Sequence, residues 1–285
     1  MADTAFQRQY RQEFIAGFEV HQSLLRDSVT TESVVKGNEA LFLVADSGGD
    51  TATTRGVNGM IPAQVDNLAQ KTATLVEWHD LRRKTDFNIF ASQGNVRQIM
   101  QRSTMAVMNR KIDSDILGQL TAGTQFAGLT ASTASYDLAI KSKTILGNAD
   151  VPFDGQICAA ITPAFEGYLL KVKEFANSEY VTKKPIDNAV TAWKDAPGWY
   201  SWIGVKWIVH PSLPGAATSA EECYMWHKDA IGHAVDSSGL SCPVGYHEEQ
   251  AYSWARCSIH MGSILLQDTG VVQIRHDGSA FAVTQ

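Results

Sequence analysis

Apolar and polar residues alternate along two early segments, residues 39–46 and 69–84, in the pattern of β-strands. The tip that joins them, residues 47–59, is polar, contains four glycines and has Val57 as its only sizeable apolar residue. A two-stranded ribbon alone in water is marginally stable, because it buries too little surface to offset the entropy lost on ordering. We therefore expect a β-ribbon that another molecule covers, in the simplest case a further copy of the same chain.

Two other segments space their apolar residues as helices do. Residues 4–28, which include Phe14 and Phe18, predict an amphipathic N-terminal arm. Residues 94–120 repeat apolar side chains every three or four positions without a proline, and a helix of this length extends about 40 Å. Residues 121–135 are rich in Thr, Ser, Ala and Gly, so we expect them to end this helix and regard them as a candidate hinge.

The rest of the chain alternates between shorter helices and strands. Helices are expected at residues 135–148, from Pro163 onwards and at 228–234; strands are expected at 156–161, 199–210, 222–227, 249–260 and 263–275, with 268–270 as a turn or a bulge. Pro163 suits the first turn of a helix, where its missing N–H donor would have no partner. A polar connection is expected at residues 178–197. The complete pattern predicts an α+β protein with a mixed inserted domain.

Composition and charge exclude several classes of function. The net charge is −6 and the pI is about 5.7, so the chain has no global basic field that would hold nucleic acid by counterion release. No apolar run is long enough to span a membrane. The four cysteines are widely spaced and lack a Cys-x-x-Cys pair, which favours free thiols in a reducing cytosol over a zinc site. They are Cys158, Cys223, Cys242 and Cys257.

The strongest enzyme-like cluster combines three histidines with three carboxylates. It consists of His227, His233, His247, Asp229, Asp236 and Glu248. Metal ligands on a helix favour spacings of three or four residues, whereas the first two histidines are six residues apart and differ by about 240° of rotation. We interpret these side chains as surface or capping residues. No Gly-x-Ser-x-Gly elbow and no phosphate-binding loop occurs, so no catalytic, cofactor-binding or metal-binding residue is predicted and the chain is not expected to be an enzyme.

A small basic patch, Arg82, Arg83 and Lys84, lies at the base of the predicted ribbon. These cations either occupy a solvated turn or meet carboxylates of a neighbouring subunit. The candidate carboxylates are Glu32, Asp50 and Asp66. Complementary charges at such a contact fix its register, so the second alternative suits a ribbon that lies over a neighbour.

The order of the predicted parts resembles the major capsid proteins of tailed bacteriophages, which have the Hong Kong 97-type fold. Short phrases carry the resemblance, which is greatest to the capsid proteins of short-tailed phages. Leu24-Leu-Arg-Asp-Ser-Val-Thr-Thr-Glu32 looks like the start of the extended loop. Trp207-Ile-Val-His-Pro-Ser-Leu-Pro214, followed by Met225-Trp-His-Lys-Asp-Ala-Ile-Gly232, looks like the last strand and helix of the axial domain. Asp268-Thr-Gly-Val-Val-Gln-Ile274 resembles the final strand.

The resemblance implies an organisation and a set of contact residues. It implies an N-terminal arm (1–36), an extended loop or β-ribbon (37–86), a peripheral domain with a long spine helix and a β-sheet (87–130 and 236–285), and an axial mixed α/β domain (131–235). The expected inter-subunit residues are Phe14, Phe18, Arg26, Asp50, Arg55, Arg82, Arg83 and Lys84. Gly48, Gly49, Gly56 and Gly59 are expected to let the tip bend differently in hexamers and pentamers.

The function that the resemblance implies is that of a major capsid protein, which self-assembles into hexamers and pentamers to form the icosahedral head around double-stranded DNA. The expected partners are other copies of the chain, a portal protein, a decoration protein and DNA held by weak contacts, with no membrane and no cofactor. A separate scaffolding protein is expected, because the ribbon begins by about residue 37 and leaves no room for a scaffolding extension. The expected location is the virion, after assembly in the host cytoplasm. The alternatives are an encapsulin-type compartment shell and a soluble α+β enzyme.

Overall fold

The computed structural model describes residues 23–34, 36–46, 51–64, 67–91, 96–128, 132–173 and 199–281. The predicted arm up to residue 22 and the predicted polar connection at 178–197 lie outside the described residues. The chain divides into two compact units. The minor unit comprises Met1–Ser23, Glu77–Ile112 and Ser238–His260, and the major unit comprises Leu24–Val76, Asp113–Ser237 and Met261–Gln285.

Strands occur in two long runs, near the beginning and at the end of the chain, with the helices between them, which agrees with the predicted α+β class. The strands are β1 (Thr30–Val34), β2 (Glu39–Asp46), β3 (Asn67–Thr74), β4 (Val76–Thr85), β5 (Gln125–Ala127), β6 (Ile157–Ile161), β7 (Tyr200–Trp202), β8 (Val205–Val209), β9 (Glu221–His227), β10 (Ile231–Asp236), β11 (Val244–His247), β12 (Tyr252–Leu265) and β13 (Val271–His276). The helices are α1 (Asp86–Ala91), α2 (Val96–Leu120), α3 (Tyr136–Asn148) and α4 (Pro163–Leu169). The long helix predicted at 94–120 is confirmed as α2.

The core of the major unit is a six-stranded sheet in the order β5-β13-β9-β6-β8-β7. All five residues of β6 are buried, and α3 packs against β5, β13 and β9. Ser135 caps α3 by accepting a hydrogen bond from Leu138 N, and Thr162 caps α4 by accepting one from Phe165 N. The predicted starts of these two helices are therefore confirmed. They could be predicted because each start has a local capping residue.

Strands β2 and β3 form the predicted ribbon in the major unit. They pair antiparallel from Glu39 opposite Thr74 to Asp46 opposite Asn67. The predicted strand at 69–84 is wrong in one respect, because the chain divides it at Leu75 into β3 and β4. Strand β3 pairs with β2, whereas β4 pairs with β12. A change of partner strand leaves the alternation of side chains intact, so the pattern alone does not show it.

The predicted helix at 228–234 is also wrong. Only Lys228–Ala230 form a 3-10 turn, and the following residues form β10, which pairs parallel with β1 and antiparallel with the last part of β12. Five consecutive residues of β10 are buried. A strand that is buried on both faces reads as a continuous apolar run, which periodicity does not distinguish from a short buried helix.

The segment predicted as one strand at 199–210 is a hairpin of β7 and β8. Ile203 and Gly204 form its turn with φ of 54° and 71°, the two positive values that a type I′ hairpin turn requires. The strand predicted at 263–275 is wrong as a single strand, because residues 263–265 are the end of β12 and Asp268–Gly270 form a 3-10 turn before β13. Of the two alternatives for that segment, the turn is therefore confirmed.

In the minor unit, β12 pairs antiparallel with β11, from Val244 opposite Ala255 to His247 opposite Tyr252, and it also pairs with β4. Helix α2 contributes its residues up to Ile112 to this unit. Val96 and Met100 of α2 pack on Ala255 and form a small apolar cluster. The helix is thus held on the sheet of the minor unit by apolar contacts.

The prediction of four free thiols is correct for two cysteines and wrong for the other two. Cys158 and Cys223 are free and buried. Cys242 and Cys257 form a disulfide with their Cα atoms 4.1 Å apart. These residues are 15 positions apart in the chain, and only the folded hairpin brings them together, so their spacing gave no local signal.

Candidate assembly surface

The two faces of the β2–β3 ribbon differ in burial. On one face Ala40, Phe42 and Ala73 are buried in a cluster with Ala234 of the same subunit. On the other face Leu41, Leu43 and Leu68 are 53%, 70% and 71% exposed. The first face attaches the ribbon to its own subunit. The second face leaves three leucines in contact with water, an arrangement typical of a surface that a partner covers.

The ribbon tip adds a second group of exposed apolar side chains. Val57, Met60 and Ile61 are each largely exposed. The predictions included Val57, but they missed Met60 and Ile61, which directly follow the polar tip as an adjacent apolar pair. Gly56 N donates to Met60 O at 3.0 Å, and Gly59, with φ of 70°, donates to Gly56 O at 2.8 Å. The positive φ gives Gly59 a backbone reason to be glycine.

Several predicted contact residues at the arm and tip fall outside the described residues. They are Phe14, Phe18, Gly48, Gly49 and Asp50, together with the candidate carboxylate Asp66. Arg55 is described and lies exposed in the tip. The structure therefore places the described tip residues in one exposed segment, and the roles predicted for them remain predictions.

The predicted basic patch lies exposed on β4. Arg82 Nε lies 3.4 Å from Asp80 Oδ2, and the Arg83 guanidinium lies 5.1 Å from the centre of the Tyr252 ring. Both arginines thus have partners within their own subunit. Glu32, the predicted counter-charge that the structure describes, is exposed on β1. A contact between these charges on neighbouring copies stays a prediction.

A buried carboxylate, Asp113, fixes Leu24 and Leu25 of the predicted arm within the major unit. Its Oδ1 accepts hydrogen bonds from Leu24 N and Leu25 N, both at 3.1 Å, and its Oδ2 accepts from Leu24 N at 3.1 Å. His210 Nε2 lies 3.6 Å from Oδ2, and the side chains of Asp113 and His210 are almost completely buried. Arg26, a predicted contact residue, lies half-buried in the 3-10 turn that follows. The sequence predictions missed Asp113.

The histidine cluster considered from the sequence is spread over three strands. His227 ends β9, His233 lies in β10 and His247 ends β11. His227 acts as a cap, since its Nδ1 accepts from Asp229 N at 3.2 Å. No group of three or more ligand side chains among the described residues is arranged to hold a metal ion.

The interpretation of His233 as a surface or capping residue is wrong, because its side chain is fully buried within β10. Its Nδ1 lies 2.9 Å from Ser263 Oγ, which itself donates to Asp115 Oδ2 at 2.6 Å. Since the serine proton is directed to the carboxylate, the Nδ1–H donates to the serine. The Nε2 atom is buried and has no hydrogen-bond partner among the residues that the structure describes. Burial therefore lowers the pKa of His233, and the nearby charge of Arg26 acts in the same direction while Asp115 opposes it.

A thiol, an imidazole and a carboxylate also meet in the core of the major unit. Cys223 Sγ lies 3.9 Å from His276 Nδ1, and His276 Nε2 lies 2.7 Å from Glu221 Oε2. Thr162 Oγ1 donates to the same carboxylate oxygen at 2.5 Å. All four residues are buried, and burial raises the pKa of the Cys223 thiol to about 12. A thiol in this state is a poor nucleophile, so the cluster acts as a polar part of the core.

A model of the phage capsid protein family matches residues 2–278 of the chain. The chain belongs to the phage capsid protein family. The matched range extends over nearly the whole chain and includes the ribbon, the long helix and the six-stranded sheet. The sequence-based prediction of a major capsid protein located in the virion is therefore confirmed. The alternatives of an encapsulin-type shell and a soluble enzyme are not favoured.

Solved structures of phage capsids share the fold of this capsid protein. A structure from Mycobacterium phage Che8 is 14% identical, with a TM-score of 0.72, and the match covers 96% of this chain and 98% of that one. The capsid of Ralstonia phage GP4 is 11% identical, with a TM-score of 0.71 and 96% of each chain covered. The capsid of cyanophage Pam1 is 10% identical, with a TM-score of 0.70 and 98% of each chain covered. The predicted Hong Kong 97-type fold is confirmed.

No curated protein matches this capsid protein in sequence. Among the helices of the described residues, none is both long and apolar enough to cross a membrane.

Proposed function

We propose that this capsid protein builds the phage head by laying the exposed face of its ribbon on a neighbouring copy. The observation that supports the proposal is the division between the two ribbon faces. Phe42 is 8% exposed and holds the ribbon on its own subunit, whereas Leu43, the next residue, is 70% exposed. A second copy that covered this face would remove the leucines from water and stabilise the ribbon.

The assembled form that we propose consists of hexamers and pentamers that close into an icosahedral head around double-stranded DNA. One sequence must then occupy unequal positions, and a tip with Gly48, Gly49, Gly56 and Gly59 provides the backbone freedom to do so. The proposed division is an arm (1–36), an extended loop (37–86), a peripheral domain (87–130 and 236–285) and an axial domain (131–235). Residues 121–135 remain the proposed hinge of maturation.

The proposed partners other than copies of the chain are a separate scaffolding protein, a portal protein and a decoration protein, with DNA held by weak contacts. Arm residues Phe14 and Phe18 and the tip charges Asp50 and Arg55 are proposed contacts between subunits. We also propose that the protein works by association and has no catalytic activity. The pair of Cys223 and His276 supports this proposal. Burial raises the pKa of the Cys223 thiol to about 12, which makes the thiol a poor nucleophile.

The test of the ribbon contact is the double substitution Leu43→Ser and Leu68→Ser. Burial of a leucine side chain is worth about 1.5–3 kcal/mol, so each substitution should remove roughly 1–2 kcal/mol from every contact. We expect the unassembled double variant to keep the wild-type circular dichroism spectrum and melting temperature. We expect it to form few closed shells when it is expressed with its neighbouring genes, as judged by sedimentation and negative-stain microscopy.

The matched control is Leu170→Ser, because Leu170 is a 48% exposed leucine outside the ribbon. This variant should assemble as the wild type does. Normal yields of closed shells from the ribbon variant would show that the exposed leucine face is not an assembly contact. A loss of assembly in both variants would show that the effect is not specific to the ribbon.

A further inference from the structure

The Cys242–Cys257 disulfide lies at a weak point of the hairpin that β11 forms with β12. Ser241 and Ser258 form an isolated antiparallel bridge with two reciprocal hydrogen bonds of 2.9 and 3.0 Å. The next pair of residues is Cys242 and Cys257, and the pair after it contains Pro243, which has no N–H to donate. Its carbonyl accepts one hydrogen bond, from Arg256 N at 3.0 Å. The disulfide thus connects the strands where the hydrogen-bond ladder is incomplete.

Both cysteines also contact helix α2 within the minor unit. Gln101 Nε2 donates to the carbonyl oxygen of Cys242 at 3.0 Å. The hydroxyl oxygen of Thr104 lies 3.2 Å from Cys257 Sγ. These contacts place the disulfide directly on one turn of the helix. A covalent link at this position restrains the part of the hairpin that packs on the helix.

The 15-residue loop that the disulfide closes contains β11 and the turn into β12. Tyr246 of β11 donates from its hydroxyl to Asp86 Oδ2 at 2.6 Å, and Asp86 N donates to Ala251 O at 3.2 Å. The restrained hairpin therefore holds the first residue of α1. Opening the disulfide would loosen β11 and this attachment, because a longer unlinked loop has more conformations when it detaches.

We propose that Cys242 and Cys257 are a dithiol while the head is assembled in the host cell and become a disulfide after the virion is released. This inference rests on the proposed function, since it assumes assembly in a reducing cytoplasm followed by release into an oxidising medium. The oxidant is a low-molecular-weight disulfide in the medium. In thiol–disulfide exchange, the Cys242 thiolate attacks the small disulfide and releases one thiol; the Cys257 thiolate then attacks the mixed disulfide and releases a second. Two protein thiols are oxidised and one small disulfide is reduced to two thiols.

The geometry favours Cys242 as the sulfur that reacts first. Cys242 is half-buried, whereas Cys257 of β12 is fully buried. Cys158 and Cys223 are buried, and burial raises the pKa of each thiol to about 12. They should therefore remain thiols in both environments, which makes them internal standards for the experiment.

The first test is alkylation of particles before and after release. Infected cells are lysed directly into N-ethylmaleimide, and the label on each cysteine is measured by mass spectrometry under denaturing conditions. We expect Cys242 and Cys257 to be labelled mostly as thiols in intracellular particles and to be protected in released virions until a reductant is added. A disulfide already complete inside cells, or a dithiol that persists in released virions, would overturn the proposal.

The second test measures the melting temperature of released particles with and without dithiothreitol. For a loop of this length we expect the reductant to lower the melting temperature by about 5 °C or more. The C242S/C257S double variant should form particles that melt at one temperature in both conditions, whereas C158S should respond as the wild type does. An unchanged wild-type melting temperature would overturn the proposed locking role. Should the double variant fail to fold, the wild-type measurement decides alone. Whether particles form tests the proposed function, whereas the N-ethylmaleimide label tests only the state of the two cysteines, so a failure of one can be told from a failure of the other.

Discussion

Asp113 offers a direct test of how the major unit holds Leu24 and Leu25, two residues of the predicted arm. The carboxylate accepts hydrogen bonds from Leu24 N and Leu25 N, all at 3.1 Å, and its side chain is only 3% exposed. The substitution Asp113→Ala would leave both N–H groups without this acceptor. Each unsatisfied buried polar group costs about 1–3 kcal/mol, so for two such groups we expect a loss of about 2–6 kcal/mol in the free energy of unfolding. Asp113→Asn keeps one acceptor oxygen and should lose less.

The measurement is urea unfolding of the unassembled subunit, followed by tryptophan fluorescence. Ser114→Ala is the matched control, because Ser114 is the exposed next residue on the same helix and should change stability little. Limited proteolysis should also cut Asp113→Ala faster near Leu24 and Leu25 than it cuts the control. A free energy of unfolding for Asp113→Ala within about 0.5 kcal/mol of the wild-type value would refute the reasoning. The chain would then hold its place by apolar burial alone.

Two further predictions concern charge. Burial lowers the pKa of His233 in the folded state, whereas the unfolded chain has a histidine pKa of 6.5. As the pH falls below 6.5, the unfolded chain therefore binds a proton more readily than the folded protein does. The free energy of unfolding should then decrease by up to about 1.4 kcal/mol per pH unit. The decrease in melting temperature between about pH 7.5 and about pH 5.5 should be smaller for His233→Gln than for the wild type. His79→Gln, which changes an exposed histidine, is the control and should behave as the wild type does. Equal decreases in all three proteins would show that His233 does not cause the pH dependence. Lys84→Glu should reduce the yield of closed shells at low salt by sedimentation, and adding Glu32→Lys should restore it if the two side chains meet across copies. Unchanged assembly of Lys84→Glu, or no restoration by the second change, would reject that pairing.

The elements that the sequence predicted correctly are those specified by local signals. Helix α2 has an uninterrupted helical repeat, and the starts of α3 and α4 carry the caps Ser135 and Thr162. The errors occur where the partner strand decides the structure. Leu75 divides one alternating run between two sheets, and no local feature marks that change. The turn at Ile203 and Gly204 did carry a signal, since glycine between two apolar runs favours a hairpin.

The sequence predicted which segment forms the candidate assembly surface, but it did not predict which face of the ribbon is buried and which is exposed. Alternation identified the ribbon, whereas the attachment of Phe42 to its own subunit depends on Ala234, which is distant in sequence. Asp113 could have been found from the sequence. It lies three residues before Ile116 and four before Leu117, both buried, so it falls on the apolar side of α2. A carboxylate at such a position needs buried donors, and this requirement points to a structural role.

The direction of the ribbon depends on two buried glycines beneath it. A Cβ atom on Gly232 of β10 would lie 2.9 Å from Phe42 Cζ, and one on Gly262 of β12 would overlap the carbonyl oxygen of Thr74. The backbones of β10 and β12 thus approach the ribbon root more closely than any side chain would permit. This contact fixes the root by packing, while exposed residues such as Leu43 project beyond it. Gly232 also ends one of the phrases that carried the resemblance to phage capsid proteins, and its place beneath Phe42 gives a physical reason for glycine at that position.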